Sequence, residues 1–266
     1  MKVLLCGDFD APERKSWLDA LTRAMPEAFW LDTEAARQAP DDVLAAVVAN
    51  PAPGSLQGLP RLRLIQSLWA GVDRLLGDIT LPEGVPIARM VDPSLNRAMA
   101  ETSLWAVLSL HRGFFDYAEQ QRQQRWLQQP QRRADEVNVL VLGQGQMGQA
   151  AAESLAAAGY HVRGWRRDDL PLPRLLANCQ VVVNLLPLTP ATQGLLNAEF
   201  FADLPRGASV VNLGRGAHVV DADLLAALDS GHLERAVLDV FHTEPLPPAH
   251  PFWRHPRITV LPHAAA

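Results

Sequence analysis

The chain has 266 residues, and at about 150 residues per domain that leaves room for two domains, each with a core of its own. Hydrophobic side chains make up 48% and charged ones 20%, the proportions of a soluble globular protein. The 24 basic and 29 acidic residues leave a net charge of -5 with no basic block, which argues against nucleic acid and membrane surfaces as partners.

In chain order, the opening Met1-Lys2-Val3-Leu4-Leu5-Cys6 gives way to Gly7 and Asp8 after too few apolar residues for a signal-peptide core. No later run reaches the roughly 18 apolar residues of a membrane helix, so a cytoplasmic protein is expected. Cys6 in a strand and Cys179 near a helix end form no disulfide framework and read as small buried hydrophobes. Apolar runs bounded by turn residues recur at 2–6, 43–49, 62–68, 85–90, 137–142, 161–165, 181–186, 208–213, 236–240 and 258–261. Helix-length amphipathic segments lie between them. Continuous Val and Leu, in place of alternation, indicate strands covered on both faces, the pattern of a doubly wound α/β protein. Asp92-Pro93 starts a helix, Asp as cap and Pro in the first turn, with no further Pro until Pro130. The hinge is placed at 93–98, dividing the chain into domains 1–95 and 96–266. Segment 119–129, rich in Gln and Arg around Trp126, is either a solvated helix end or an arm packed against a second subunit.

The run 137–142 leads into Gly143-Gln144-Gly145-Gln146-Met147-Gly148 and an Ala-rich helix to Ala158. Strand, glycine turn and helix in this order make a dinucleotide site. Gly143 permits the tight turn, Gly145 lets backbone approach a pyrophosphate, and Gly148 packs helix on strand, while Gln146 and Met147 open the helix whose dipole meets the phosphates. The next strand ends at Trp165, where an acid usually meets the ribose hydroxyls, yet Arg166 and Arg167 follow. Arg166 comes 23 positions after Gly143 (166 − 143), close to the roughly 20-residue interval expected of that group. A guanidinium holds a 2′-phosphate bidentately where an acid would repel it, so NADP(H) is preferred, with NAD(H) still possible. The alternative is two solvated arginines neutralised by Asp168 and Asp169.

Three later segments carry chemistry: Asn212-Leu213-Gly214-Arg215-Gly216, then Asp239-Val240-Phe241-His242-Thr243-Glu244-Pro245, then Pro262-His263-Ala264-Ala265. Each follows a predicted strand. Arg215, between two glycines, suits an anion clamp, and His263 is the side-chain type best matched to giving a proton near neutral pH. Seven other histidines compete, but only His263 lies in a Pro-His-x-Ala-Ala setting at a strand exit. Glu244 is suited to hold the imidazole and favour its charged form; a plain turn residue is the other reading. Nothing in this set calls for a metal.

These segments, in this order behind a Gly-rich loop, resemble the D-isomer-specific 2-hydroxyacid dehydrogenase family, and within it the glyoxylate/hydroxypyruvate reductase branch. The resemblance spans nearly the whole chain. It implies two doubly wound domains, a flavodoxin-like substrate domain followed by a Rossmann-type nucleotide domain, and NADPH-dependent reduction of small 2-keto acids by a homodimer. Arg215, Glu244 and His263 would be the catalytic set. Segment 184–192, with Leu186, Pro187 and Thr192, would pass under the nicotinamide ribose beside Leu213 and Gly214; Thr192 fits a phosphate donor or a helix cap equally. Asp239 would hydrogen-bond the nicotinamide carboxamide or the ribose. Ser67-Leu68-Trp69-Ala70-Gly71-Val72-Asp73 resembles the substrate loop, in which backbone N–H groups at Ala70 and Gly71 cradle a carboxylate and Trp69 walls the pocket or merely packs.

The sequence departs from the family pattern in ending three residues after His263, where relatives continue through a helix that crosses back onto the first domain. The expectation is a bared apolar face and a looser hinge. It keeps open a nucleotide-sensing binding protein, or an inactive remnant, beside the working reductase.

Overall fold

Continuous Val and Leu runs need cover on both faces, and parallel strands flanked by helices supply it. A computed structural model describes residues 1–167 and 171–266 and divides between Val91 and Asp92 into two units, each built on this plan.

In the first unit, strands β1 (Lys2–Gly7), β2 (Phe29–Leu31), β3 (Val43–Ala49), β4 (Leu64–Ser67) and β5 (Ile87–Ala88) form one parallel sheet in the order β2-β1-β3-β4-β5. Alternate residues feed opposite faces: Leu4, Cys6, Ala46 and Val48 join one buried cluster, and Val3, Leu5, Val47 and Ala49 join the other. Helices α1 (Ala11–Ala24), α2 (Thr33–Gln38) and α3 (Asp73–Leu76) belong to this unit. The sequence reading missed β2, a three-residue edge strand whose first side chain, Phe29, is exposed.

The second unit opens with α4 (Pro93–His111), started as the sequence indicates: the Asp92 carboxylate accepts from Ser94 N at 2.6 Å, with Pro93 in the first turn. Helix α5 (Phe114–Arg122) follows, and beyond it Trp126 stands 95% exposed, so within the described residues nothing covers it. Strands β6 (Asn138–Leu142), β7 (His161–Trp165), β8 (Val181–Asn184), β9 (Ala208–Asn212), β10 (Leu233–Leu238) and β11 (Ile258–Val260) form a parallel sheet ordered β11-β10-β9-β8-β6-β7. Helices α6 (Gln146–Ala157), α7 (Leu172–Leu176), α8 (Ala198–Ala202) and α9 (Asp221–Asp229) complete it. Here too the strands face both ways, Leu140, Val182 and Val210 into one core and Val139, Val183 and Val211 into the other.

From β6 the chain steps outward to β7 and then returns to β8 on the far side of β6. That reversal is the switch point at which open α/β sheets bind ligands, outside the carboxyl ends of the strands. β8 itself stops at Asn184, two residues short of the predicted run. The Asn184 side-chain oxygen accepts from Leu186 N at 3.3 Å, a local bond that competes with the ladder and turns the chain. Both cysteines are free and buried, and burial pushes the Cys179 thiol up to about 12. No helix of the described residues is long and apolar enough to cross a membrane.

Candidate active site

The glycine turn has the tight backbone expected at Gly143 and the close helix packing expected at Gly148. Gly143 has φ 92°, and a Cβ there would stand 2.7 Å from the Leu185 carbonyl oxygen, so only glycine fits. At Gly148 a Cβ would collide with the Gly143 carbonyl, which fixes how closely α6 approaches the turn. At Gly145 a Cβ would meet nothing within 4 Å: the space over the start of α6 is open, and no side chain caps that end. A cleft of about 590 Å³ lies there. Gly143, Gln144, Gly145, Trp165, Arg166, Arg167 and residues of the 184–192 segment, Leu186, Pro187 and Thr192 among them, line it, and Leu195 joins them unforeseen. Both arginines are exposed. Asp168 and Asp169, offered above as their neutralising partners, lie outside the described residues.

Thr192 needs correction. Its hydroxyl donates to Pro187 O at 2.8 Å and accepts from Thr189 N at 2.9 Å, and the residue is 6% exposed. That hydroxyl helps close the 187–192 loop while lining the cleft, and no helix starts at Thr192, so of its two readings the helix cap falls. Of the remaining cofactor candidates, Gln146 is exposed at the first turn of α6, while Met147 and Leu213 pack into the core and present backbone at most.

Arg215, Glu244 and His263 leave the carboxyl ends of β9, β10 and β11, which are neighbours in the sheet. Glu244 Oε1 accepts from Phe241 N at 2.8 Å, and Oε2 accepts from His263 Nδ1 at 2.6 Å. The two side chains are 35% and 49% exposed, so this is an aligned pair open to solvent. The Arg215 turn abuts the same loop: a Cβ on Gly216 would collide with the Phe241 backbone. Arg215 is half-buried, and its Nη1 donates to Gly214 O at 2.7 Å.

His263 has φ 54°, a left-handed conformation that costs a non-glycine residue on the order of 1–3 kcal/mol unless its surroundings enforce it. Asp239 enforces it. Its backbone oxygen accepts from His263 N at 2.9 Å, and its carboxylate accepts from Ala264 N at 2.8 Å and Ala265 N at 3.1 Å. Thr102 Oγ1 donates to Ala265 O at 2.9 Å and ties the loop to α4. Asp239 is 1% exposed; burial raises its carboxyl above the usual range, and the two N–H groups pull it back. Both oxygens therefore help hold the His263 loop, a task beside the nicotinamide contact expected of Asp239.

The sequence model of the D-isomer specific 2-hydroxyacid dehydrogenase NAD binding domain matches residues 104–265. The chain belongs to the D-isomer specific 2-hydroxyacid dehydrogenase family. It is 40% identical over 275 residues to the glyoxylate/hydroxypyruvate reductase A of Serratia proteamaculans (strain 568), covering 97% of this chain and 86% of that protein. It superposes with a TM-score of 0.92 and 39% identity on the family member from Xanthobacter autotrophicus Py2 solved with NADPH and MES, over 100% of this chain and 88% of that one. The NADPH-dependent glyoxylate/hydroxypyruvate reductase of Sinorhizobium meliloti, solved with NADP and sulfate, gives 0.91 and 36%, over 100% and 89%.

As a 2-hydroxyacid dehydrogenase of the reductase A branch, the chain is an NAD(P)-dependent oxidoreductase. Among the described residues no group of three or more His, Cys, Asp or Glu could hold a metal ion. In the first unit, the loop after β4 is shaped by Ser67, whose buried hydroxyl accepts from Trp69 N at 3.0 Å. Trp69 is 37% exposed, its carbonyl accepts from Met90 N at 3.1 Å, and the Ala70 and Gly71 amides make no hydrogen bond among the described residues. Sequence reasoning passed over three wholly buried polar residues beneath Arg215, namely Asn184, Asn212 and His218. The signal was a polar residue closing each of two Val-rich strands.

Proposed function

We propose that the chain reduces small 2-keto acids, glyoxylate and hydroxypyruvate, to 2-hydroxy acids, with NADP(H) preferred over NAD(H). The His263–Glu244 pair at 2.6 Å, open to solvent at the strand exits, carries the reading. The open space at Gly145 and the start of α6 fits a pyrophosphate, and Arg166 and Arg167 on the cleft wall fit a 2′-phosphate. The relatives solved with NADPH and NADP support that fit. The dinucleotide, when bound, would supply the hydride. Arg215 contributes the positive fork for the substrate's carboxylate and carbonyl, and in the first unit Trp69 and the Ala70 and Gly71 amides remain the substrate-loop candidates. His263 gives its proton to the carbonyl oxygen as the carbonyl carbon takes the hydride. Because Nδ1–H is committed to Glu244, the transferable proton is on Nε2, and Glu244 stabilises the imidazolium before transfer.

The test is oxidation of NADPH and NADH by this chain with glyoxylate and with hydroxypyruvate. No turnover of either acid at saturating NADPH would end the proposal. Arg166→Asp should weaken NADPH by roughly ten- to a hundredfold more than NADH, the worth of one charge-assisted contact of about 1.5–3 kcal/mol. A wild type that already prefers NADH would show the charge argument wrong.

Asp239 gives a second check. Asp239→Asn leaves one oxygen for the loop amides and points an NH2 group at the other, so kcat should fall roughly tenfold with NADPH Kd unchanged. Weaker NADPH binding at an unchanged kcat would point to the nicotinamide contact instead.

A further inference from the structure

His218, 0% exposed, sits in the short 3-10 turn Gly216–His218 directly after Arg215. Its Nδ1 accepts from Arg215 N at 3.2 Å and from Asn184 Nδ2 at 2.8 Å. A ring nitrogen facing two donors carries no proton, so the proton is on Nε2, which lies 3.3 Å from Pro187 O. One neutral ring thus spans from the Arg215 backbone to the Pro187 carbonyl on the rim of the nucleotide cleft. Two carboxamides complete the support. Asn184 Nδ2 also donates to Asn212 Oδ1 at 2.9 Å, that oxygen accepts from Gly214 N at 3.2 Å, and Asn212 Nδ2 donates to Arg215 O at 3.0 Å. Both backbone polar groups of Arg215 are therefore held by buried side chains rooted at the ends of β8 and β9 and in the turn. There is no slack around them: a Cβ on Gly214 would stand 3.1 Å from Asn184 Nδ2 and 3.2 Å from His218 Cε1.

We propose that His218 is a positioning residue for the reduction, fixing the direction in which Arg215 leaves the sheet and tying it to the Pro187 rim, so that anion clamp and nucleotide cleft keep one register. The inference rests on Arg215 being that clamp. A buried network of this kind is sensitive to losing a single partner, because the group left behind cannot reach water. The two ring nitrogens face different partners, so their contributions separate.

His218→Asn puts an amide oxygen near the place of Nδ1 and keeps the acceptor for Arg215 N, while losing the donor to Pro187. His218→Gln puts an amide near Nε2 and keeps that donor, while losing the acceptor. The Gln variant should raise KM for glyoxylate roughly tenfold and leave NADPH Kd within about twofold; the Asn variant should do the reverse, weakening NADPH several-fold with little change in glyoxylate KM. A merely structural histidine would move both constants together or neither, and either result overturns the proposal. Arg215→Ala run in parallel separates the two readings. If that variant leaves glyoxylate KM unchanged, the clamp itself is wrong; if it raises KM and His218→Gln does not, only the positioning role fails. Should either His218 variant fail to fold, histidine nitrogen shifts of the wild-type protein decide: an Nε2-protonated buried ring is required, and an Nδ1-protonated or doubly protonated one overturns the inference.

Discussion

His263→Ala should lower kcat for glyoxylate reduction by roughly a hundredfold or more while leaving NADPH Kd near its wild-type value, since the proton it gives matters in the transition state and not in cofactor binding. The geometry makes this a clean experiment. The imidazole is half exposed and packs into neither core, and the loop beneath it is held by backbone groups of 263–265 on Asp239, which an alanine side chain leaves in place. Glu244→Gln should do less, about tenfold, because an amide oxygen still receives Nδ1–H but no longer offers a charge to the imidazolium, and its NH2 end is turned toward Phe241 N. A His263→Ala protein with kcat near wild type would move the acid elsewhere in the chain.

What the sequence disclosed depended on whether a residue's task is set by its own backbone or by distant partners. The glycine turn was legible because Gly143 and Gly148 each answer a local demand: a positive φ and a close packing. The Val runs were legible because burial on both faces leaves no polar position to confuse the pattern. β10 was read to begin at Ala236, whereas it starts at Leu233, because Glu234 and Arg235 break the apolar run. Arg235 is spent on an ion pair with Asp116 at 2.7 Å, a partner no periodicity could supply. Asp239 was read toward the cofactor and Thr192 as a phosphate donor or a helix cap, and the loop backbone that each also holds was not foreseen. His218 was one histidine among eight, and its partners include Asn184, 34 positions away, and Pro187, 31 positions away. Residue type was visible in all of these; the partner was not.

Arg215→Lys should cost about a hundredfold in kcat/KM for glyoxylate, the scale of losing an oriented donor on developing negative charge, although the net charge is unchanged. A guanidinium offers five donors in one plane and grips a carboxylate and the neighbouring carbonyl as a fork; an ammonium is a strongly hydrated point charge on a flexible stem. In this site Arg215 also donates Nη1 to Gly214 O at 2.7 Å, which bends the side chain back over its own turn. Lysine's ammonium has no planar fork with which to hold that carbonyl and an anion in one fixed geometry. Its backbone anchors, Asn212 on the carbonyl and His218 on the amide, remain, so thermal unfolding should be unchanged and the loss confined to the substrate. Both KM and kcat should move, since an anion that binds in the ground state gains further charge on its carbonyl oxygen as the hydride arrives. Added guanidinium should partly restore the Arg215→Ala enzyme, while an alkylammonium of similar size should not. Normal KM and kcat in the lysine variant would remove Arg215 as the clamp and show that charge alone, without the planar fork, meets the need.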